Sequence, residues 1–227
     1  MEKTPEAAVF DLDGTLLDTL GELADSGNAA LEALGFPTHP TEAYRYFVGK
    51  GMENLVQRIL PESARDAKTA ARAFEAVREA YSQRWDASRP YAGVPELLDA
   101  LAADGLPLAV LSNKPDDFTR LTVERLLGRW DFAFVRGVRD DTPPKPDPHG
   151  ALDLARRLHV EPAACLYLGD TATDMETATA AGMYALGALW GFRTADELQQ
   201  AGARALLEKP TDMIPYVVPP APREATP

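Results

Sequence analysis

Cysteine and histidine are scarce in this chain, which contains one cysteine and three histidines among its 227 residues. The single cysteine, Cys165, cannot close an internal disulfide, so we expect a reducing environment such as the cytoplasm. It lies in an apolar run and is expected to be buried rather than to act as a nucleophile. His39, His149 and His159 lack the spacing of metal ligands, so we expect structural or surface roles for them.

Long hydrophobic runs are also missing. The longest stretch without a charged residue covers positions 177–192, and its 16 residues include threonine and glycine. A helix that spans a bilayer needs about 20 apolar residues, so no membrane partner is expected. The start of the sequence passes directly from charged positions into an apolar run and shows no signal-peptide pattern, which again favours the cytoplasm.

Positive charge is in short supply as well. The chain carries 35 aspartates and glutamates against 23 lysines and arginines, which gives a net charge of -12. Such a surface repels nucleic-acid phosphates and anionic lipids, so nucleic acid is not an expected partner. A small anionic substrate would need a local cation, and a bound metal ion is the obvious candidate because clustered carboxylates attract one.

Short apolar runs alternate with helical patterns over most of the chain. The runs that predict strands lie at 7–10, 106–111, 132–135, 164–168 and 183–189, and helices are predicted at 117–127, 148–158 and 174–181. Strands that alternate with helices form a parallel sheet covered on both faces. We therefore predict an α/β fold built on a Rossmann-like, doubly wound parallel sheet.

A block with a different rhythm interrupts this alternation. Residues 18–89 show only helical periodicity, which begins with apolar residues from Leu20 to Leu34 and stops at Gly35. We predict a helical cap domain at 18–89, inserted in a core domain made of residues 1–17 and 90–210. The last 13 residues contain five prolines, and we expect residues 211–227 to form a disordered tail.

Polar side chains gather where the predicted strands end. In an open parallel sheet the carboxyl ends of the strands line one crevice, where ligands bind. The candidate site residues are Asp11 and Asp13 after the first strand, Ser112 and Asn113 after the second, Lys145 ahead of a helix, and Asp170 and Asp174 after a later strand. We expect these residues to meet at one edge of the sheet.

The chemistry of these residues is complementary. The aspartates offer hard oxygen ligands that suit Mg²⁺, and close carboxylates repel one another unless a cation lies among them. The lysine adds a positive charge, while the hydroxyl and amide side chains and the backbone of the Gly14-Thr15 turn add hydrogen-bond donors. Such a set suits phosphoryl transfer, with Asp11 as a nucleophile on phosphorus and Asp13 as acid and base.

Each of these motifs has a simpler explanation when it is taken alone. An Asp-x-Asp-Gly sequence is often only a capped turn, and Asp170 could merely cap the helix that follows it. A lone lysine is usually solvated. The coincidence of such motifs at three strand ends favours a shared site.

Four segments of the chain, in this order, resemble the motifs of the haloacid dehalogenase superfamily. They are Asp11-Leu12-Asp13-Gly14-Thr15, Leu111-Ser112-Asn113, Lys145-Pro146 and Gly169-Asp170-Thr171-Ala172-Thr173-Asp174. The helical block between the first two is similar to the inserted α-helical cap of that superfamily, and the resemblance extends to about residue 210. Within the superfamily, the segments Ser112-Asn113-Lys114-Pro115, 169–183 and Val48-Gly49-Lys50-Gly51 resemble phosphoglycolate phosphatases.

This resemblance implies a mechanism. Asp11 would attack the phosphoryl group and become an aspartyl phosphate, while Asp13 would protonate the leaving alkoxide and then deprotonate the hydrolytic water. Mg²⁺ would be held by Asp11, Asp170 and the backbone carbonyl of Asp13. Asp174 would support the metal-bound water or Lys145. The residues that would bind the phosphate are Thr15, Ser112, Asn113 and Lys145.

The resemblance also implies a small phosphorylated metabolite, 2-phosphoglycolate, as the substrate of a monomer or homodimer. Arg45 and Lys50 of the cap are expected to recognise its carboxylate, with solvated charges at helix ends as the alternative. A β-phosphoglucomutase-like mutase and a broad sugar or nucleotide phosphatase remain alternatives, and so does a non-enzymatic phosphoryl-accepting or Mg²⁺-binding module. Asp13 argues against dehalogenases and phosphonate hydrolases, which lack an acid at that position.

Overall fold

A six-stranded parallel sheet organises the chain, for which the computed structural model describes residues 4–140 and 142–217. The strands in chain order are β1 (Ala7–Phe10), β2 (Leu17–Asp18), β3 (Arg89–Pro90), β4 (Leu108–Pro115), β5 (Phe132–Val138), β6 (Cys165–Gly169), β7 (Tyr184–Ala188) and β8 (Ala205–Leu207). The sheet has the order β5-β4-β1-β6-β7-β8, while β2 and β3 form a separate antiparallel ribbon.

Helices connect these strands. They are α1 (Leu20–Leu34), α2 (Tyr44–Phe47), α3 (Gly51–Ile59), α4 (Ala67–Ser82), α5 (Val94–Ala103), α6 (Asp116–Leu127), α7 (His149–Leu158), α8 (Ala172–Ala181), α9 (Ala195–Gln200) and α10 (Ile214–Val217). Short 3₁₀ turns lie at Thr41–Ala43, Glu62–Ala64, Pro162–Ala164 and Pro210–Met213. The predicted stop of α1 is confirmed, because Gly35 ends that helix in the left-handed conformation with φ of 77°.

The central strand β1 shows why the sheet must be covered on both sides. Its four residues are fully buried, and successive side chains point to opposite faces of a strand. Ala8 and Phe10 pack in one apolar cluster with residues of α5, whereas Ala7 and Val9 pack in a second cluster with residues of α7 and α8. The predicted α/β fold with a doubly wound parallel sheet is therefore confirmed.

The helices α1 to α4 form a unit that is inserted between the two strands of the ribbon. This helical insert, residues 19–88, has an apolar core of its own, which includes Leu31, Tyr44 and Ile59. Phe192, from the loop after β7, also packs in that core. The division of the chain into a core domain and a cap domain stays a prediction, but the ribbon lies where the sequence places the boundary.

Two features of the core differ from the sequence-based expectation. The sheet has an additional parallel edge strand, β8. Periodicity does not predict this strand because the run at 205–207 has only three residues. The predicted disordered tail at 211–227 is wrong for residues 211–217. Met213 and Val217 are buried in the apolar cluster that contains α5, so this segment belongs to the core. Residues 218–227 of the predicted tail lie outside the described residues.

The expectations for the single cysteine and for membrane-spanning segments can be compared with the structure. Cys165 is fully buried, and burial raises the pKa of its thiol to about 11, which leaves it protonated and unreactive. Within residues 4–140 and 142–217, every helix is too short or too polar to cross a membrane.

Candidate active site

The carboxyl ends of three neighbouring strands carry the candidate site. Asp11 follows β1, Ser112 lies near the end of β4, and Asp170 follows β6, and these strands stand side by side in the order β4-β1-β6. Lys145 reaches the same place from the segment between β5 and α7. The structure thus brings together side chains that are separated by more than a hundred residues in the sequence.

Three buried carboxylates form the centre of this site. Asp11, Asp170 and Asp174 each present an oxygen atom, and these oxygens lie within 4.8 Å of one another. Burial, with the charge of Asp174 adding to it, raises the pKa of Asp11 to about 7. Burial and the two neighbouring carboxylates raise the pKa of Asp170 well above its usual range. Because ionised carboxylates at this spacing repel one another, the cluster fits a divalent cation.

Lys145 supplies the positive charge beside these carboxylates. Its Nζ atom lies 2.9 Å from Oδ1 of Asp11 and 2.7 Å from Oδ1 of Asp174, and the side chain is buried. Burial alone would lower the pKa of Lys145, but the two aspartates outweigh it and hold the pKa well above its usual value. The lysine therefore stays charged next to Asp11.

Asp174 is fixed by the first turn of α8. Its Oδ2 atom accepts hydrogen bonds from the hydroxyl of Thr171 at 2.6 Å and from the backbone N–H of Thr171 at 3.0 Å. The second of these bonds is one half of a capping box, in which the Thr171 side chain also accepts the backbone N–H of Asp174. Gly169 passes so close that a Cβ atom there would lie 2.3 Å from the Cβ of Asp174. This arrangement orients the remaining oxygen of Asp174 toward Lys145. Asp174 is thus one of the carboxylates that could contact a metal ion directly, in addition to its predicted role of supporting the metal-bound water or Lys145.

Asp170 is held by hydrogen bonds from two sides, one of them from Thr15. The hydroxyl of Thr15 donates to Oδ1 of Asp170 at 2.9 Å, and the backbone N–H of Phe192 donates to Oδ2 at 2.8 Å. The backbone N–H groups of Gly14 and Thr15 are bonded to Leu17 and Leu12. The side chain of Thr15 and the backbone donors of this turn are thus bonded within the fold, and phosphate binding by Thr15 stays a prediction.

The Asn113 side chain forms hydrogen bonds that connect two segments of the fold. Its Oδ1 atom accepts the backbone N–H of Lys145 at 2.8 Å, while its Nδ2 atom donates to the carbonyl of Lys145 at 3.0 Å and to that of Gly49 at 3.2 Å. The amide thus joins the Lys145 segment to the helical insert. Asn113 and Ser112 both line the cavity described below, and their phosphate contacts stay predictions.

Asp13 lies outside the carboxylate cluster and has its own lysine. The Nζ atom of Lys114 is 2.5 Å from Oδ1 of Asp13 and 4.0 Å from Oε1 of Glu22 in the helical insert. Burial opposes the charge of Lys114, but Asp13, Tyr81 and Glu22 raise its pKa above the usual value. Lys114 was not among the predicted site residues. Its position directly after Ser112 and Asn113, at the same strand end, is the signal that could have found it.

A cavity lies between the sheet edge and the helical insert. Its empty space, including the open mouth, is about 550 Å³. The sheet contributes the polar wall, formed by Asp11, Asp13, Ser112, Asn113 and Lys114, and the helical insert contributes a mainly apolar wall, formed by Leu23, Val48, Met52, Leu55 and Tyr81.

The two cap cations that the sequence singled out do not line this cavity. Arg45 pairs with Glu42 at 2.7 Å and donates to the carbonyl of Gly191 at 2.8 Å, so it joins the helical insert to the core. Lys50 is exposed and borders a groove between α3 and α4. Both side chains lie away from the cavity in this structure, and their recognition of the substrate stays a prediction.

The fold and this site define a hydrolase that is built on a parallel α/β sheet. Residues 8–188 match the model of the haloacid dehalogenase-like hydrolase family, and the chain belongs to that family. It is 33% identical over 210 residues to the phosphoglycolate phosphatase of Nitrosospira multiformis, which covers 89% of this chain and 91% of that protein. It is 32% identical over 220 residues to the phosphoglycolate phosphatase of Pseudomonas savastanoi pv. phaseolicola, which covers 94% of this chain and 80% of that protein.

Solved structures give the same result for the fold. A candidate phosphoglycolate phosphatase from Lactobacillus delbrueckii subsp. bulgaricus superposes with a TM-score of 0.89 at 27% identity, covering 96% of this chain and 100% of that one. A haloacid dehalogenase-like hydrolase from Streptococcus pneumoniae superposes with a TM-score of 0.84 at 22% identity, covering 93% and 98% of the two chains. The predicted family, the predicted fold and the prediction of a phosphoric monoester hydrolase are confirmed.

Proposed function

We propose that the chain hydrolyses a small phosphate monoester through an aspartyl phosphate on Asp11, with Mg²⁺ as cofactor and 2-phosphoglycolate as substrate. The observation that carries this proposal is the placement of Asp11. Its carboxylate lies in the wall of the cavity, 2.9 Å from Lys145 and beside two further carboxylates. Asp13, two residues further on, lies in the same wall.

The two aspartates divide the reaction between them. An oxygen of Asp11 forms a bond to phosphorus while the bond from phosphorus to the ester oxygen breaks, and Asp13 gives its proton to that leaving oxygen. Asp13 then takes a proton from a water molecule, which attacks phosphorus and releases inorganic phosphate and the carboxylate of Asp11. Throughout, the charge of Lys145 offsets the negative charge of the phosphoryl group.

The metal ion would be held by the carboxylates of Asp11 and Asp170 and by the backbone carbonyl of Asp13, with Asp174 within reach. Gly14 and Gly191 leave room for the Asp170 carboxylate beside the other ligands, because a Cβ atom on either glycine would lie within 2.5 Å of an atom of Asp170. When bound, the ion neutralises the crowded carboxylates and the incoming phosphate.

The residues that line the cavity favour a substrate with a small leaving group. The helical insert presents Leu23, Val48, Met52 and Leu55 to the cavity, and these side chains offer no partner for sugar hydroxyls. Burial of unpaired hydroxyls is costly, which disfavours the mutase and the broad sugar phosphatase as alternatives. The names of the curated relatives support 2-phosphoglycolate as the small ester.

The test is phosphate release by the purified protein from 2-phosphoglycolate, p-nitrophenyl phosphate and glucose 6-phosphate, with and without Mg²⁺. We expect 2-phosphoglycolate to give the highest kcat/KM, EDTA to abolish turnover and Ca²⁺ to restore it poorly. The variant Asp11→Asn should lose several orders of magnitude of activity, and an acid-quenched reaction should yield a phosphorylated peptide that contains Asp11 only in the wild type. Asp131→Asn, at an exposed position, is the control. More than a tenth of wild-type turnover in Asp11→Asn would contradict the proposal.

A further inference from the structure

The site contains a second buried lysine that the proposed reaction leaves without a task. Lys145 lies beside Asp11, where phosphorus is attacked, whereas Lys114 lies beside Asp13, at 2.5 Å from its Oδ1 atom. Because Asp13 protonates the leaving oxygen, Lys114 is at the end of the cavity that receives the leaving group. Its side chain is only 4% exposed, so it is not an ordinary solvated lysine.

The surroundings of Lys114 hold its ammonium group in place. Glu22, from the helical insert, lies 4.0 Å away, and it accepts hydrogen bonds from the Tyr81 hydroxyl at 3.0 Å and from the backbone N–H of Ser88 at 3.2 Å. The Nζ atom also lies 4.9 Å from the centre of the Tyr81 ring. An ammonium group has three N–H donors. Even with Asp13 and the Tyr81 hydroxyl as partners, one donor remains for a ligand.

Lys114 is also distinctive among the described residues that line the cavity, because it is the one cation in that set. The opposite wall carries no charged side chain among the described residues that line it, and the Tyr81 hydroxyl in that wall is bonded to Glu22. Among those residues Lys114 is therefore the one cationic partner for an anionic group on the leaving group. Arg45 is bonded to Gly191 and Lys50 borders a different groove, so neither lines the cavity.

We propose that Lys114 is the specificity-determining cation of this site, which binds a carboxylate on the leaving group of the substrate. This inference rests on the proposed phosphatase function. The distance of 2.5 Å between Lys114 and Asp13 requires the carboxylate to lie close to the ester oxygen. The substrate class is therefore phosphate monoesters in which one carbon separates the ester oxygen from a carboxylate.

Three esters of one skeleton test the proposal: 2-phosphoglycolate, 2-hydroxyethyl phosphate and 2-aminoethyl phosphate, whose distal groups are anionic, neutral and cationic. For the wild type, kcat/KM should fall in that order. In Lys114→Met, kcat/KM for 2-phosphoglycolate should fall by about ten- to one-hundredfold more than for 2-hydroxyethyl phosphate, the size of a lost charge-assisted hydrogen bond. Lys114→Arg should retain part of the preference. Lys68→Met, which removes an exposed cation of the helical insert, is the matched control and should leave the ratio unchanged.

The ratio separates recognition from a purely structural effect. If Lys114 only positions Asp13, Lys114→Met lowers kcat/KM for all three esters by the same factor, and the proposal is overturned. If Lys114→Met fails to fold, the order of the three esters in the wild type decides, and any order other than anionic, neutral, cationic overturns it. A wild type that hydrolyses none of them, nor p-nitrophenyl phosphate, overturns the phosphatase function itself. That result is distinct from hydrolysis without discrimination, which overturns the role of Lys114 alone.

Discussion

The metal-free protein should lose free energy of unfolding as the pH rises from about 5 to about 8. Burial, with the charge of Asp174 adding to it, raises the pKa of the Asp11 carboxyl from 3.8 to about 7. A carboxyl with a raised pKa holds its proton more tightly in the folded chain than in the unfolded chain. The stability that this proton provides is complete at low pH and is lost as the pH rises through about 7.

The size of the effect follows from the two pKa values of Asp11. A difference of roughly 3 pKa units corresponds to about 4 kcal/mol, most of which falls between pH 5 and pH 8. For a chain of this length, a loss of about 3 kcal/mol lowers Tm by roughly 6–12 °C. Mg²⁺ stabilises the ionised carboxylates, so the increase in Tm that it causes should be larger at pH 8 than at pH 5.

Thermal unfolding of the EDTA-treated protein across this pH range measures the effect. Asp11→Asn is the matched control because an amide does not ionise, and its Tm should fall by several degrees less over the same range. An equal fall in both proteins would refute the assignment of this pH dependence to Asp11. A Mg²⁺ effect of the same size at pH 5 and pH 8 would refute the argument that the ion opposes carboxylate repulsion.

The remaining predictions concern the acid and the packing of the helical insert. Asp13→Asn should slow the hydrolysis of alkyl phosphates more than that of p-nitrophenyl phosphate, whose leaving group needs no proton, and an equal loss of kcat on both would argue against Asp13 as the acid. Gly27→Ala should lower the free energy of unfolding by about 1–3 kcal/mol, because its Cβ would lie 2.5 Å from the hydroxyl of the buried Tyr44. Gly21→Ala in the same helix has nothing within 4 Å and should raise it by about 0.4–1 kcal/mol in urea unfolding. Equal effects of the two substitutions would show that packing against Tyr44 does not determine the change in the free energy of unfolding.

The order of the motifs along the chain already determined much of the site. Asp11, Asp170 and Lys145 were predicted together because residues at the carboxyl ends of parallel strands share one edge, whatever their separation in sequence. The parallel sheet was predicted for a similar reason, since fully buried strands show continuous apolar runs that are visible without any structure. The family resemblance depends on the same short motifs.

Elements of only a few residues are too short for hydrophobic periodicity to predict them. The strand β8 has three residues, and its pairing with β7 is visible only in the assembled sheet. Residues 211–217 lie directly ahead of a proline-rich segment and show no periodicity, yet Met213 and Val217 pack against α5. A short segment gains its structure from the surface that it covers, which local sequence does not report.

The direction of each polar side chain was decided by the tertiary structure. Thr15 and Asn113 have the right chemistry to bind phosphate, but Asp170 and the backbone of Lys145 use their hydrogen-bonding groups. Lys114 was overlooked because its partner Asp13 lies 101 residues away in the sequence. Residue type and spacing determine which groups arrive at the edge of the sheet. Which of them face the cavity depends on contacts between distant segments, because a hydrogen bond forms only where the folded backbones place donor and acceptor about 3 Å apart.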